Sequence, residues 1–121
     1  MLENTSSSHA CETEQAAQPI TLQDLLRHTA GFTYAGSAPY PALQAAYREA
    51  DVEARESDLS PEDFLSRLAA IPLAYQPGTR WEYGLSTDVL GVLLERASGQ
   101  PLHELLEEMI FVPLGMTDTA F

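Results

Sequence analysis

The stretch from residue 76 to residue 99 constrains the fold more than any other part of the sequence. It begins with a Pro-Gly turn and continues as a short aromatic extended piece. A helix is then predicted to start at Ser86 or Thr87 and to stop at Gly99. This layout places Tyr83 where the extended piece meets the helix, so that its hydroxyl can face a cleft. Tyr83 is therefore the leading candidate for chemistry.

The alternative is a structural role for the same aromatic residues. Trp81 and Tyr83 alternate around Glu82, as in a half-buried strand whose rings serve only to pack. Because most aromatic side chains in a domain are packing residues, the residues alone favour this alternative.

Helix signals recur along the rest of the chain. Thr21 and Asp24 resemble a capping box for a short helix that ends between Thr29 and Gly31. A surface helix is predicted over 42–54, and Ser60 followed by Pro61 predicts the start of another that ends before Pro72. The last helix is predicted between Pro101 and Pro113, before a turn and the first residues of a strand. The buried stripes of the first and last helices are predicted from Leu22, Leu25 and Leu26, and from Leu102, Leu105, Leu106, Met109 and Ile110.

The histidines and the cysteine give weak evidence for a site. His28 falls in the last turn of the first helix, where donation to free carbonyls favours a structural role over a catalytic one. His9 lies in a polar arm, and His103 lies on a predicted solvated helix face. No metal-ligand spacing occurs and Cys11 is the single cysteine, so we expect no metal and no cofactor.

Composition excludes several classes of function. The net charge of −12 opposes binding to nucleic acid and to anionic membranes, and no apolar run approaches the length of a membrane span. The N-terminus has neither a basic nor an apolar signal region, which slightly favours the cytoplasm and leaves the localisation of a longer parent unknown. All six basic residues are arginine, so no lysine is available as a base or a Schiff-base former.

Four segments carry a resemblance to a known family: residues 20–31, 76–83, 98–102 and 113–119. In this order they resemble landmarks of the serine beta-lactamase-like superfamily, which includes class C beta-lactamases, D-alanyl-D-alanine carboxypeptidases and family VIII carboxylesterases. The resemblance implies a mostly α chain. It would be the helical domain of the beta-lactamase/transpeptidase-like α+β fold, lacking most of the α/β sheet domain. Residues 1–18 are then a flexible or extended lead-in, and residues 19–121 form the helical domain.

The resemblance also implies a site. Tyr83 matches the family's tyrosine, which takes the proton of a serine nucleophile and returns it to the leaving group. Trp81, Tyr34 and Leu85 are expected to contact substrate. Because Leu85 stands where penicillin-recognising members have asparagine, an ester substrate is favoured over a beta-lactam.

The family's Ser-x-x-Lys motif and its third motif are absent, so neither Ser6 to Ser8 nor any other serine is expected to act as nucleophile. We therefore expect an inactive chain that covers substrate in a larger serine hydrolase, as an excised domain, a fragment or the ordered remainder of a longer protein. Its partners would be an ester (or beta-lactam) substrate and the remainder of the hydrolase, and self-association through exposed apolar surface stays open. The alternatives are part of a class C beta-lactamase or peptidase, and a non-catalytic binding module.

Overall fold

Helices and loops make up all of the chain that the structure, a computed structural model, describes: residues 12–53 and 59–120. Within these ranges there is no strand, which confirms the mostly α prediction. The helices are α1 (Leu22–Arg27), α2 (Pro41–Ala50), α3 (Pro61–Ala69), α4 (Ser86–Ser98) and α5 (Leu102–Leu106), and a π-helical turn, Glu107–Phe111, extends α5.

Local start and stop residues place these helices. Thr21 forms the predicted capping box with Asp24, and the Ser60 side chain accepts a hydrogen bond from the backbone of Asp63. Gly99 adopts the left-handed conformation that ends α4. Pro101 precedes α5 as its N-cap and does not open its first turn.

The first two helices end earlier than predicted. The residue after α1 is His28, which takes the left-handed conformation (φ 55°) three residues before Gly31. Asp51 does the same after α2 (φ 52°), so this helix does not reach residue 54. Neither residue is a glycine, which explains why the sequence pattern did not mark these stops.

The core is built from helices and loops together. α4 packs on α1 and on α5, and α2 packs on α3. Tyr47 and Leu68 are buried between the second pair, and loop residues fill the space beside them. The buried apolar cluster comprises Leu25, Ala30, Phe32, Ala35, Ala38, Leu43, Tyr47, Val52, Leu68, Ile71, Leu85 and Val89.

Two predicted buried stripes are wrong in part. Of the three leucines of α1 only Leu25 is buried, whereas Leu22 and Leu26 are 62% and 70% exposed. In the last helix Leu105 is buried, whereas Met109 and Ile110 are exposed. Helical spacing predicts one apolar face, but burial also needs a neighbour, and no described element covers these side chains.

The two ends of the described chain differ in their contacts. Near the C-terminus, the backbone groups of Leu114, Met116 and Thr119 donate to nearby residues in local turns, so the predicted strand does not form. Residues 12–18 have no regular secondary structure, and the Ala17 N–H donates to the side chain of Gln76. His9, Cys11 and the serines at 6–8 lie outside the described residues, and the lead-in stays a prediction.

None of the described helices is long and apolar enough to span a bilayer.

Candidate functional site

Two loops lie side by side and carry the predicted site residues. The first, residues 28–34, follows α1, and the second, residues 74–84, precedes α4. Three backbone N–H groups of the second loop donate to carbonyls of the first, Ala74 to Gly31, Gly78 to Thr29 and Glu82 to His28, each at 2.8 Å. Segments far apart in sequence are therefore fixed to one another beside the N-terminus of α4.

Glycine makes the close approach of the loops possible. A Cβ added to Gly84 would lie 2.6 Å from the Cα of Thr33, and one added to Gly31 would lie 2.2 Å from the carbonyl oxygen of Tyr75. Any larger residue at these positions would separate the loops.

Hydrogen bonds beneath the loops support them. The backbone N–H of Thr33 donates to the Tyr47 hydroxyl at 3.2 Å, and the Thr33 hydroxyl donates to the Glu82 carboxylate at 2.9 Å. Burial raises the pKa of the Tyr47 phenol, so it stays protonated in this position. The Glu82 side chain is thus held inward, between two exposed aromatic neighbours.

A second set of hydrogen bonds fixes the start of the first loop. The Asp24 carboxylate accepts from the hydroxyl and backbone N–H of Thr21 and from the hydroxyl of Thr29. These bonds, those of Thr21 foremost, hold the pKa of the Asp24 carboxyl below its ordinary value. α1 and the loop after it are therefore joined through one ionised side chain.

The structure brings three of the four predicted site residues together. The Tyr83 ring centroid lies 5.8 Å from that of Tyr34 and 6.4 Å from that of Trp81. Tyr83 and Trp81 are 57% and 64% exposed and belong to no strand, so the half-buried packing strand of the alternative interpretation is not formed. With His28, these residues form an aromatic cluster on the surface of the two loops.

Leu85 is placed elsewhere. It is 3% exposed and belongs to the buried apolar cluster that also contains Val89. Its side chain packs in the core of the described residues, and contact between Leu85 and a substrate stays a prediction.

His28 belongs to the site, which the sequence did not predict. Its ring centroid is 4.9 Å from that of Tyr83 and 6.4 Å from that of Trp81. Its Nδ1 is enclosed and has no hydrogen-bond partner among the described residues. The contact depends on the pairing of the two loops, and no local pattern around His28 signals that pairing.

Tyr34 and Tyr83 line an open groove of about 870 Å³. It continues along α4 toward α3 and α5, between mostly apolar side chains that include Phe64, Leu90 and Leu106. Tyr83 therefore forms part of the wall of a mostly apolar groove that is open to solvent. No group of three or more His, Cys, Asp or Glu residues in the described ranges could hold a metal ion.

Comparison with known proteins gives a consistent set of relatives. A family model described as Beta-lactamase matches residues 9–121. Esterase EstB of Burkholderia gladioli is 40% identical over 107 residues, which are 84% of this chain and 26% of that protein. Lovastatin esterase of Penicillium rubens is 40% identical over 105 residues, 87% of this chain and 25% of that protein. The chain thus spans about a quarter of the length of these relatives.

Among solved structures, this chain is similar to EstCE1, described as a hydrolase with promiscuous acyltransferase activity. The TM-score is 0.69 at 35% identity, over 79% of this chain and 25% of that one. The fold of the described residues therefore matches a helical part of a larger hydrolase.

Proposed function

Since the chain belongs to the beta-lactamase family, we propose that it is the helical, substrate-covering part of a serine hydrolase in which Tyr83 is the general base and acid. Its relatives include esterases and acyltransferases. The observation that carries the proposal is the exposed Tyr83 ring, which stands on two paired loops and lines the apolar groove.

The proposed role of Tyr83 follows from the chemistry of acyl transfer. In its phenolate form, the Tyr83 oxygen takes the proton of a serine hydroxyl as the serine attacks the substrate carbonyl. The phenol so formed gives this proton to the leaving alkoxide, which restores the phenolate. Water attacks the resulting acyl-serine in the second half of the cycle, and backbone N–H groups hold the oxyanion. The serine must come within about 2.6–3.2 Å of the Tyr83 oxygen, which the solvent-facing side of the ring permits.

We propose an ester as the substrate class. Two relatives are named esterases, and the chain has Leu85 where a lactam-binding amide is expected in the penicillin-recognising members. An alcohol that replaces water in the second half of the cycle would turn the same intermediate into an acyl-transfer product. Acyltransferase activity is named for EstCE1.

The first experiment asks whether the 121-residue chain contains a nucleophile of its own. The sequence has no lysine and no Ser-x-x-Lys, so we expect its mass to stay at 13.2 kDa after treatment with a fluorophosphonate probe. Turnover of p-nitrophenyl butyrate should equal that of buffer. Addition of one probe molecule to the chain would overturn this assignment of roles.

The second experiment tests Tyr83 in the longer protein that supplies the nucleophile. Tyr83→Phe should lower kcat about 10²–10⁴-fold, because the proton acceptor is removed while the ring is kept. Tyr40→Phe is the matched control, since Tyr40 is a similarly exposed tyrosine outside the aromatic cluster. Equal activity of the two variants would show that Tyr83 does not transfer the proton.

A further inference from the structure

We infer that His28 is a positioning residue for Tyr83, and that its imidazole ring supports the phenol ring and fixes its direction. The chemical consequence rests on the proposed function, in which Tyr83 must meet a serine hydroxyl. The geometric claim rests on the arrangement of the two loops alone.

The backbone of His28 links α1 to the loop that carries Tyr83. Its N–H donates to the last carbonyls of α1, those of Asp24 and Leu25, and its own carbonyl accepts the N–H of Glu82 at 2.8 Å. The residue adopts the left-handed conformation (φ 55°), a position that helices usually give to glycine or asparagine. The backbone hydrogen bonds of His28 do not require an imidazole ring, so they do not explain why this position carries a histidine.

The ring is directed to the aromatic cluster. Its centroid is 4.9 Å from that of Tyr83, closer than the rings of Tyr34 (5.8 Å) and Trp81 (6.4 Å) are to the same phenol. The two planes are tilted by 43°, which is a packed aromatic contact and leaves the solvent-facing side of Tyr83 open.

The capping role predicted from sequence does not account for this side chain. A histidine that caps a helix with its side chain donates to the free carbonyls there. In α1, backbone N–H groups of His28 and Thr29 already donate to two of these carbonyls, those of Asp24 and Leu25. The Nδ1 atom is enclosed and has no hydrogen-bond partner among the described residues. The contribution of the side chain is therefore the packing of its ring.

The position of Tyr83 depends on such packing because more than half of its surface is exposed. A half-exposed aromatic side chain can change its rotamer unless a neighbour blocks the alternatives. Small displacements of a catalytic group are costly, since a shift of about 1 Å can lower the rate about 100-fold.

Two variants separate the ring from the backbone role. His28→Asn keeps a residue that tolerates the left-handed conformation and removes the ring, whereas His28→Phe keeps a ring and removes the nitrogen atoms. Each is made in the 121-residue chain labelled with 3-fluorotyrosine, and the ¹⁹F signal of Tyr83 is assigned by its absence in Tyr83→Phe. Tyr75 lies outside the aromatic cluster and provides the internal reference.

We expect His28→Asn to move the Tyr83 signal toward the value of free fluorotyrosine while Tyr75 and the melting temperature stay unchanged. His28→Phe should keep the Tyr83 signal close to its original position. In the longer protein, His28→Asn should lower kcat about tenfold or more with little change in KM, and His28→Phe should restore most of it.

Three results would overturn the inference. The first is a Tyr83 ¹⁹F signal that does not move in His28→Asn, and the second is a Tyr83 ¹⁹F signal that is lost equally in both variants. The third is a melting temperature that falls equally in both variants, which would assign His28 to the fold alone. If Tyr83→Phe keeps full activity while His28→Asn still moves the Tyr83 signal, the proposed function fails and the positioning role stands.

Discussion

At the scale of single residues, one buried phenol supports the loop under the candidate site. The Tyr47 hydroxyl is the acceptor for the backbone N–H of Thr33, a residue with no exposed surface. Tyr47→Phe leaves this buried donor without a partner, so it should lower the free energy of unfolding by about 1–3 kcal/mol. Urea unfolding followed by circular dichroism measures this loss.

Tyr40→Phe again serves as the control, because Tyr40 is exposed and its change should stay within about 0.5 kcal/mol. A similar loss in both variants would mean that the Thr33 hydrogen bond contributes nothing beyond general tyrosine packing.

Asp24 gives the molecule a specific dependence of stability on pH. Hydrogen bonds hold its pKa in the folded state below the unfolded value of about 3.9. The carboxylate therefore stabilises the fold above that value, and this stabilisation disappears as pH falls through the lower, folded pKa. Asp24→Asn should be less stable than the original chain at pH 7, and the difference should shrink as pH falls below the unfolded value and through the lower, folded pKa.

The measurement is the urea midpoint of both proteins between pH 7 and pH 2.5. Asp63→Asn is the matched control, since Asp63 occupies the equivalent position of α3 and, within the part of the chain that the structure describes, its carboxylate accepts from the hydroxyl of Ser60 alone. A larger pH-dependent difference for Asp63→Asn than for Asp24→Asn would contradict the role given to Asp24.

At the scale of elements, the sequence predicted what depends on near neighbours. The capping box of Thr21, the Ser60 cap and the Gly99 stop are signals a few residues long, and each was confirmed. Tyr83 could be selected because it lies between a Pro-Gly turn and a helix. His28 could not, since its contact with Tyr83 exists only after two distant loops have paired.

The pairing of those loops depends on one close approach. Gly84→Ala would bring a Cβ within 2.6 Å of the Thr33 Cα and within 2.7 Å of the Phe32 carbonyl oxygen. Backbone atoms cannot move aside as a side-chain end can, so we expect a loss of about 1–3 kcal/mol or more in urea unfolding. The Tyr83 contacts should be disturbed as well.

Gly36→Ala is the control for this prediction, because no atom lies within 4 Å of its added Cβ. We expect it to be neutral or to stabilise by about 0.4–1 kcal/mol through the unfolded chain. If Gly84→Ala and Gly36→Ala have the same free energy of unfolding, the loops can separate without a loss of stability.

At the scale of the whole molecule, exposed apolar side chains accompany a strong negative charge. Leu22 and Leu26 are exposed on α1, and Met109, Val112 and Leu114 are exposed near the C-terminus. We call the latter three residues the C-terminal apolar strip. The sequence predicted the apolar character of these residues but not their exposure, because burial of a side chain depends on whether another element packs against it. The net charge of −12 opposes contact between two copies at low salt.

We therefore predict salt-dependent self-association. Between about 20 and 500 mM NaCl the Debye length falls from roughly 20 to roughly 4 Å, so charge repulsion is screened while apolar contact is not. In sedimentation equilibrium the average mass should rise above 13.2 kDa with salt and with protein concentration.

The double variant Val112→Gln and Leu114→Gln should reduce this rise, whereas Tyr40→Gln, an exposed aromatic change elsewhere, should not. A mass that stays monomeric at high salt, or a rise unaffected by the double variant, would show that the strip does not mediate association.

The hydrogen bond between Ala74 and Gly31 has an evolutionary consequence. This bond joins residues 31 and 74, which flank a segment, 32–73, that contains α2 and α3. We call this segment the excursion, and its two ends are held together by the bond. Lengthening a closed loop costs little conformational entropy, about 0.6 kcal/mol for each doubling of a flexible one. The outer part of this excursion can therefore gain, lose or exchange residues while the pinned ends keep Tyr83 in place. Under the proposed function, residues of the excursion that line the groove, such as Pro61 and Phe64, could change while Tyr83 keeps its place.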